Sequence, residues 1–418
     1  MKNTNYQNIQ KTIGPGILFA GAAIGGSHLI QSTRAGADYG FDLLTIVILI
    51  NLFKYPFFEF GHRYTAVTGE SILNGYAKLG KSTLWIFLIM NIFTSVINGA
   101  AVTLVTAGLC ANLFSIMLSP AIISLLVLIV ITAILFIGRY AMLDMVMKIM
   151  IAILAITTII TVFIALGIDT GSANQNLVSK PDLWNAAGIA FLLALMGWMP
   201  APIEISVWPS LWALERSKQT HYRPSVKEAL IDFHIGYIGT TLIALFFVGL
   251  GAFVMFGSGE KFSNSSVVFS SQLVSLYTKT IGEWSRIIIG SIVFITMLST
   301  TLTVFDAYPR TLAGSMQLLS VRRFKPGKYL YHFWAIFMII AGFMIIACFT
   351  SGIKTLMDFA TIVAFLAAPV FAIINYRVVT APFMPEEYRP QKWLRILSWA
   401  GMIFLVTFSL IYILSLVL

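Results

Sequence analysis

The chain has 418 residues, of which 58% are hydrophobic and only 11% are charged. A soluble globular domain carries about 25% charged residues, so this composition excludes a soluble protein and indicates an integral membrane protein. The formal net charge of +10 would suit a nucleic-acid partner only if the basic residues formed a binding surface. Their distribution along the chain, described below, indicates membrane topology instead.

Eleven segments are apolar and long enough to cross the ~30 Å hydrocarbon core of a bilayer, which takes about 20 residues of helix. They are residues 14–37, 41–62, 83–111, 118–138, 143–168, 185–214, 231–257, 284–309, 329–350, 355–380 and 393–416. The stretches between them are too short for a soluble domain. No small-residue cleavage site follows the polar N-terminus (1–13), so we expect the first span to be retained rather than removed as a signal peptide.

Most of the 27 Lys and Arg residues fall on one side of these spans, chiefly in residues 216–228 and 321–328. The positive-inside rule then predicts a cytoplasmic N-terminus and an external C-terminus, in a bacterial inner or plasma membrane. The basic charge is therefore a topology signal, and we expect the lipid bilayer but no nucleic acid as a partner. Cys110 and Cys348 indicate neither a disulfide framework nor a metal motif, and the oligomeric state stays unknown.

Two spans carry residues that interrupt helices. The first contains Gly25, Gly26 and Ser27 within GAAIGGSHLIQ, and the sixth contains Met-Pro-Ala-Pro at 199–202. These positions correspond if spans 1–5 (14–168) and spans 6–10 (185–380) are two repeats of opposite topology, with 393–416 as an eleventh helix. Matched interruptions are typical of inverted-repeat transporters of the LeuT type, whose substrate site lies at the midplane. We therefore predict that both helices unwind side by side there.

The first span also resembles a known family. The sequence GPGILFAGAAIGGSHLIQSTRAGA (14–37) is similar to the first helix of the natural resistance-associated macrophage protein (NRAMP) metal-ion transporters, which begins GPG, continues to a DPGN motif and ends AGA. Gly25, Gly26, Ser27 and His28 stand where that family has Asp, Pro, Gly and Asn. The resemblance implies an all-α membrane protein with five-plus-five LeuT-type repeats and an eleventh helix, acting in transport.

The family's other functional motifs are also altered. A gapless alignment puts Ala201, Pro202 and Ile203 at its Met-Pro-His motif and Trp208 at a second His, whereas a shift of two residues would match the Met-Pro at 199–200 instead. The third span, 91–113, contains no Asp or Glu where family members carry an acid pair for proton movement. The resemblance therefore implies the fold, while the usual metal ligands and proton route are lost.

These replacements argue against a Mn or Fe site of the family's type, because a divalent ion among neutral ligands is poorly compensated for its lost hydration. We expect instead a small zwitterionic or cationic organic solute. Backbone N–H groups at Gly25 and Gly26, with Ser27 and His28, would hold an anionic group at a helix N-terminus, and Glu204 would face a cationic group. The candidate substrate-binding residues are therefore Gly25, Gly26, Ser27, His28, Ala201, Glu204 and Trp208.

Two alternatives stay open at this stage. One is transport of a hard divalent ion such as Mg, bound by Ser27, His28, Glu204 and carbonyl groups. The other is a non-transporting membrane sensor, like the NRAMP-like portion of plant ethylene-signalling proteins, although no soluble signalling domain follows the last span. No nucleophile–base pair suggests an enzyme, and no cofactor is expected beyond a coupling ion, H⁺ or Na⁺.

Several polar residues within the spans have assignable roles. Hydroxyl groups of Ser299, Thr300 and Thr301 resemble a sodium site of LeuT-type carriers. Arg34 and Asp358 lie at the outer ends of two spans and are predicted to form an outer gate, with a local Arg34–Asp38 pair as the alternative. Asp306 and Arg310 suit an i,i+4 ion pair. For Lys54 we expect snorkelling towards the inner membrane face. For His28, a hydrogen bond between helices is the alternative to a role in substrate binding.

Overall fold

The structure, a computed structural model, describes residues 11–137, 140–167, 180–320, 327–349 and 352–417. These residues form helices and connecting segments, with no strand among them. The basic stretch at 321–328 lies largely outside the described residues. The helices are α1 (Pro15–Ala23), a π-helical segment (Ile24–Ser32), α2 (Thr33–Tyr39), α3 (Leu44–Thr68), α4 (Ile72–Leu79), α5 (Lys81–Phe114), α6 (Pro120–Ile137), α7 (Tyr140–Gly167), α8 (Ala186–Trp198), a 3₁₀ turn (Ile203–Ser206), α9 (Val207–Thr220), α10 (Val226–Val254), α11 (Ser266–Ile281), a 3₁₀ turn (Glu283–Ser285), α12 (Arg286–Leu319), α13 (Gly327–Cys348), α14 (Ile353–Thr380), a 3₁₀ turn (Glu386–Tyr388) and α15 (Lys392–Ser415).

Ten stretches among the described residues are long and apolar enough to cross a membrane, with α8 to α9 counted as one. The first predicted span is not among these ten, because its helix consists of three short pieces, α1, the π segment and α2, and the count of eleven spans stays a prediction. Local sequence sets where several helices begin. The Asn185 side chain accepts from the Gly188 N–H at the start of α8, and Ser225 with Glu228 forms a capping box at the start of α10.

The centre of the bundle lies where the first span meets α5, α8, α10 and α12. Helix α12 packs along α5, α10 packs along α2 and α3, and α14 packs along α8. Two helices that hydropathy does not predict, α4 and α11, are too short to span the bilayer and pack on the long helix α5. The division into repeats at 14–168 and 185–380 stays a prediction.

The prediction that the first span unwinds at Gly25–Ser27 is wrong. The chain stays helical through these residues in the wider π form, in which N–H groups bond to the carbonyl five residues earlier. The two glycines serve close packing instead. A Cβ atom on Gly25 would lie 2.0 Å from Thr300 Oγ1, and one on Gly26 would lie 3.0 Å from Trp198 Cζ3. Glycine therefore lets α12 and the end of α8 approach the first span.

The sixth span is interrupted as the sequence predicts. Helix α8 ends at Trp198, residues 199–202 are not helical, and a 3₁₀ turn at Ile203–Ser206 leads into α9. Proline lacks a backbone N–H group, so Pro200 and Pro202 cannot continue a helical hydrogen-bond pattern. We call residues 199–202 the span 6 break.

Replacing Gly25 by Ala should destabilise the protein, because the added methyl group meets Thr300 at a distance that requires movement of α12. Overpacking of this kind costs about 1–3 kcal/mol. Thermal unfolding in detergent should show a clear drop in Tm for Gly25→Ala and a partial recovery in the double variant Gly25→Ala/Thr300→Ala. The matched control is Gly239→Ala in α10, where nothing lies within 4 Å of the added Cβ, and its Tm should not fall. Equal Tm values for the two single variants would contradict the packing explanation.

Candidate functional site

A small cavity lies between the first span, the span 6 break, α5 and α12. Its volume is about 40 Å³, room for only a few water molecules. Among the candidate residues, Gly26, Ser27, Ala201, Trp208 and Thr300 line it. Its other lining residues are Ala22, Ala23, Asn98, Val102, Trp198, Pro200, Pro202, Ile205, Val304 and Tyr308. The walls are therefore mainly apolar and aromatic, with a few hydroxyl and amide groups.

His28 does not line this cavity. Its ring is fully buried, with Nδ1 2.5 Å from Ser27 Oγ and 3.1 Å from the Ala23 carbonyl oxygen, and Nε2 2.8 Å from the Thr240 carbonyl oxygen on α10. Both ring nitrogens are thus engaged by the protein. The anion-binding role predicted for His28 has no support in this geometry, which matches the alternative of a bond between helices.

The predicted anion site at Gly25 and Gly26 is also absent from this arrangement, because the π helix has no exposed N-terminus there. Gly25 faces Thr300 rather than the cavity. Ser27 does reach the span 6 break, since its Oγ lies 2.8 Å from the Pro200 carbonyl oxygen and 2.7 Å from that of Ala23. Ser27 therefore connects the first span to the break.

Glu204 lies directly behind the cavity wall and is 1% exposed. Its Oε1 accepts hydrogen bonds from Asn98 Nδ2 at 3.2 Å and from the Tyr308 hydroxyl at 3.4 Å. Its Oε2 is buried and has no hydrogen-bond partner among the described residues. An unsatisfied oxygen on a buried carboxylate is costly, so this atom is available to a bound group.

Asn98 joins Glu204 to the cavity. Its Nδ2 also donates to Tyr308 Oη at 2.8 Å, and its Oδ1 accepts from Trp198 Nε1 at 3.2 Å. We call Asn98, Trp198, Glu204 and Tyr308 the polar cluster.

The sequence prediction missed Asn98 and Tyr308. In the third span only Asp and Glu were considered as functional residues. A polar side chain within a membrane-spanning helix, such as that of Asn98, was the feature that indicated a functional position.

The snorkelling predicted for Lys54 is wrong. The side chain is completely buried, and its ammonium group donates to the carbonyl oxygens of Met196 at 2.7 Å, Gly197 at 2.8 Å and Ala201 at 3.1 Å. The last carbonyls of a helix lack N–H partners and carry its negative dipole end. Because α8 ends inside the protein at Trp198, Lys54 satisfies these carbonyls rather than extending to the membrane surface.

The predicted outer pair is present. Arg34 Nη1 and Nη2 donate to the two carboxylate oxygens of Asp358 at 2.6 and 3.1 Å, which joins α2 to α14. Arg34 also donates to Gln31 Oε1 at 3.0 Å, and its guanidinium lies 5.3 Å from the centre of the Phe191 ring. This bidentate geometry joins the two helices, while the outer position of the pair and its gating role stay predictions.

The candidate coupling residues face different neighbours. Thr300 Oγ1 lies 3.5 Å from the Gly21 carbonyl oxygen on the first span. Thr301 Oγ1 lies 2.7 Å from Thr106 Oγ1 on α5. Ser299 is buried and does not line the cavity. The three hydroxyls therefore do not meet at one point, and Thr300 alone remains as a candidate beside the first span.

A wider cavity of about 590 Å³ lies between α1, α9 and α12. Asp306 and Arg310 line it and form the predicted i,i+4 pair, with Arg310 Nε 2.8 Å from Asp306 Oδ2. The positive-inside rule predicts that this is the cytoplasmic side. The Arg34–Asp358 pair lies at the opposite end of the first span from this cavity. Within the described part of the chain, no three His, Cys, Asp or Glu residues form a metal-binding group.

The fold matches solved membrane transporters. The structure aligns with an Eremococcus coleocola manganese transporter bound to an aromatic bis-isothiourea compound, with a TM-score of 0.72, 14% identity, and coverage of 98% of this chain and 87% of that one. It also aligns with MhsT bound to L-phenylalanine, with a TM-score of 0.63, 13% identity, and 96% and 98% coverage. The third match is Mhp1, a nucleobase-cation-symport-1 family transporter, with a TM-score of 0.60, 16% identity, and 99% and 91% coverage. The protein therefore has the all-α LeuT-type transporter fold.

The sequence identifies the family within this class. The family model described as natural resistance-associated macrophage protein-like matches residues 16–415, and the chain belongs to that family. It is 42% identical over 404 residues to an uncharacterized protein of Pasteurella multocida (strain Pm70), covering 96% of this chain and 91% of that protein. The chain is thus a multi-pass integral membrane protein with the fold of Nramp transporters.

Removing the charge of Asp358 should open the outer side. In a background of Cys110→Ser, Cys348→Ser and Val102→Cys, Asp358→Asn should raise the rate at which an impermeant external thiol reagent reaches the cavity by about tenfold, which corresponds to ~1.4 kcal/mol. Val102 lines the cavity, and the Asn side chain cannot keep the bidentate ion pair that joins Arg34 to α14.

The swapped pair Arg34→Asp/Asp358→Arg should restore slow labelling. The control is Asp42→Asn, which removes an exposed ion pair with Lys180 and should leave the rate unchanged. Equal labelling of the parent and the Asp358→Asn variant would rule out the gate.

Proposed function

We propose that this protein is a secondary transporter of a small organic cation, with its substrate site at the span 6 break. The observation that carries the proposal is the polar cluster, in which a buried carboxylate with one unpartnered oxygen stands behind a cavity walled by aromatic rings. Trp198, Trp208 and Tyr308 line that cavity, and the rings of Trp208 and Tyr308 meet edge to face at 4.8 Å.

This combination suits a cation with an apolar surface. Aromatic faces attract organic cations, and the attraction rises to about 2 kcal/mol where water is excluded. A fixed carboxylate then compensates the charge that enters the membrane interior, as Glu204 can do through Oε2. The anionic half of a zwitterion has no matching group, because His28 is occupied by Ser27 and Thr240. A cationic solute is therefore favoured over a zwitterionic one.

The described lining of the cavity argues against a transition metal. The lining residues with polar side-chain groups are Ser27, Asn98, Thr300 and Tyr308, together with the indole N–H groups of Trp198 and Trp208, and Glu204 does not line the cavity. Manganese and iron sites draw on carboxylate, imidazole or sulfur ligands. The similar manganese transporter shares the fold at 14% identity, and its substrate does not follow from that likeness.

The structure corresponds to an unloaded state of such a carrier. The cavity of about 40 Å³ is too small for an organic cation, while the cytoplasmic cavity is open beside α1 and α9. Loading therefore requires the helices around the break to separate. The interrupted sixth span provides a hinge at residues 199–202.

A hard divalent cation such as Mg is the second candidate, and the same unpartnered Glu204 Oε2 favours it. Carboxylate and carbonyl oxygens are the ligands that Mg prefers. Magnesium keeps several waters when it binds, which would also require the cavity to open.

Ligand-induced stabilisation separates these candidates. Purified protein should gain thermal stability with tetramethylammonium or choline, by ~2.7 kcal/mol at a concentration 100 times the Kd. Glu204→Gln keeps the shape but removes the charge, so it should abolish the gain and the uptake in proteoliposomes. Trp208→Phe should retain much of the affinity, whereas Trp208→Ala should lose it.

Three results would contradict the organic-cation proposal. Robust Mn uptake that competes with Fe and Cd would refute an organic-cation carrier. Mg uptake that Glu204→Gln abolishes would establish the second candidate. No stabilisation by any of these solutes, and no uptake, would favour a non-transporting sensor.

A further inference from the structure

Lys54 occupies a cation-binding position built from the backbone of the span 6 break. Its ammonium group contacts the Met196 and Gly197 carbonyl oxygens at the end of α8 and the Ala201 carbonyl oxygen beyond the end of that helix. A lysine ammonium has three N–H donors, and three carbonyl oxygens lie within hydrogen-bonding distance. The charge therefore holds the two sides of the break together.

This arrangement ties the proton on Lys54 to the conformation of the break. If the carbonyls of Ala201 and Met196 move apart, the buried ammonium loses acceptors. An unpaired buried charge costs several kcal/mol, and such a group loses its charge instead. The break can therefore widen at low cost only when Lys54 is a neutral amine.

Glu204 lies three residues beyond Ala201, whose carbonyl oxygen accepts from Lys54 Nζ at 3.1 Å, so the Glu204 carboxylate belongs to the same short segment that Lys54 contacts. Helix α8 carries no ionisable side chain. On α10, Tyr237 Oη donates to the Asn51 carbonyl at 2.6 Å, and His234 Nε2 lies 2.7 Å from Tyr55 Oη, so these groups are engaged with other parts of α3. Lys54 and Glu204 therefore form one electrostatic unit around the break.

We propose that Lys54 is a proton-binding site of the transport cycle and that its proton is exchanged for the cationic solute. With an ammonium and a carboxylate, the Lys54–Glu204 unit has no net charge. When a monovalent cation binds beside Glu204, one proton leaves Lys54 Nζ for bulk water, and Nζ becomes a neutral amine. The carboxylate then balances the solute, and the net charge remains zero. The exchange step rests on the proposed function, whereas the proton site does not.

Hydrogen–deuterium exchange of the segment 193–206 tests the proton site without any solute. After correction for intrinsic exchange rates, protection of this segment in the wild-type protein should fall at least about tenfold between pH 6 and pH 9.5. Lys54→Arg keeps its charge at both pH values and should show no such fall. Lys54→Met has no charge to hold the break and should be poorly protected at both.

The control is Lys218→Met, at an exposed position paired with Glu215, which should behave like the wild type. If Lys54→Met fails to fold, the comparison of the wild type with Lys54→Arg still decides the matter. Unchanged wild-type protection across this pH range, or a Lys54→Arg variant that follows the wild type, would overturn the proposal.

Proton release tests the exchange. Addition of tetramethylammonium to weakly buffered protein should release one proton per cation bound in the wild type and none in Lys54→Met. Binding without release in the wild type would refute the exchange while leaving the cation carrier intact. Absence of binding, with pH-dependent protection retained, would refute the organic-cation proposal and leave the proton site standing.

Discussion

The span 6 break places backbone carbonyls inside the membrane region, and the rest of the site depends on how they are satisfied. Within a bilayer such groups need partners from the protein itself, because lipid offers none. Lys54 on α3 takes three carbonyls, and Ser27 on the first span reaches that of Pro200. Side chains from two spans thus hold the break, and the cavity lies beside it.

The first span meets the same constraint in another way. It keeps its helical hydrogen bonds in the π form, and the Ala23 carbonyl is also contacted by the side chains of Ser27 and His28. Of these two spans, the sixth is the one that breaks in this conformation. The Gly25–Gly26 pair makes a tight contact with Thr300 and Trp198 instead of a flexible segment, so the proposed ligand site rests on the polar cluster rather than on the first span.

The sequence predicted the parts of this structure that depend on local chemistry. Hydropathy located the spans, the prolines located the break, and the GPG and AGA flanks of the first helix indicated the family. The sequence alone could not predict contacts between residues far apart in the chain. His28 bonds to Thr240 and Lys54 bonds to Met196, and each pair is separated by more than one hundred positions. A Gly-Gly pair suits an unwound helix and a close helix contact equally well, so sequence could not choose the π helix.

Charge balance between Lys54 and Glu204 limits which solutes the proposed site can carry. At 4 Å and an effective dielectric constant of 20, two unit charges interact by about 4 kcal/mol, and a divalent ion doubles the repulsion from a neighbouring ammonium. A divalent ion beside Glu204 would leave at least one charge uncompensated even after Lys54 lost its proton. A monovalent cation would leave none. The same lysine that satisfies the break would therefore disfavour a divalent ion in the proposed site, which links the proposed preference for a singly charged solute to the way the broken helix is held.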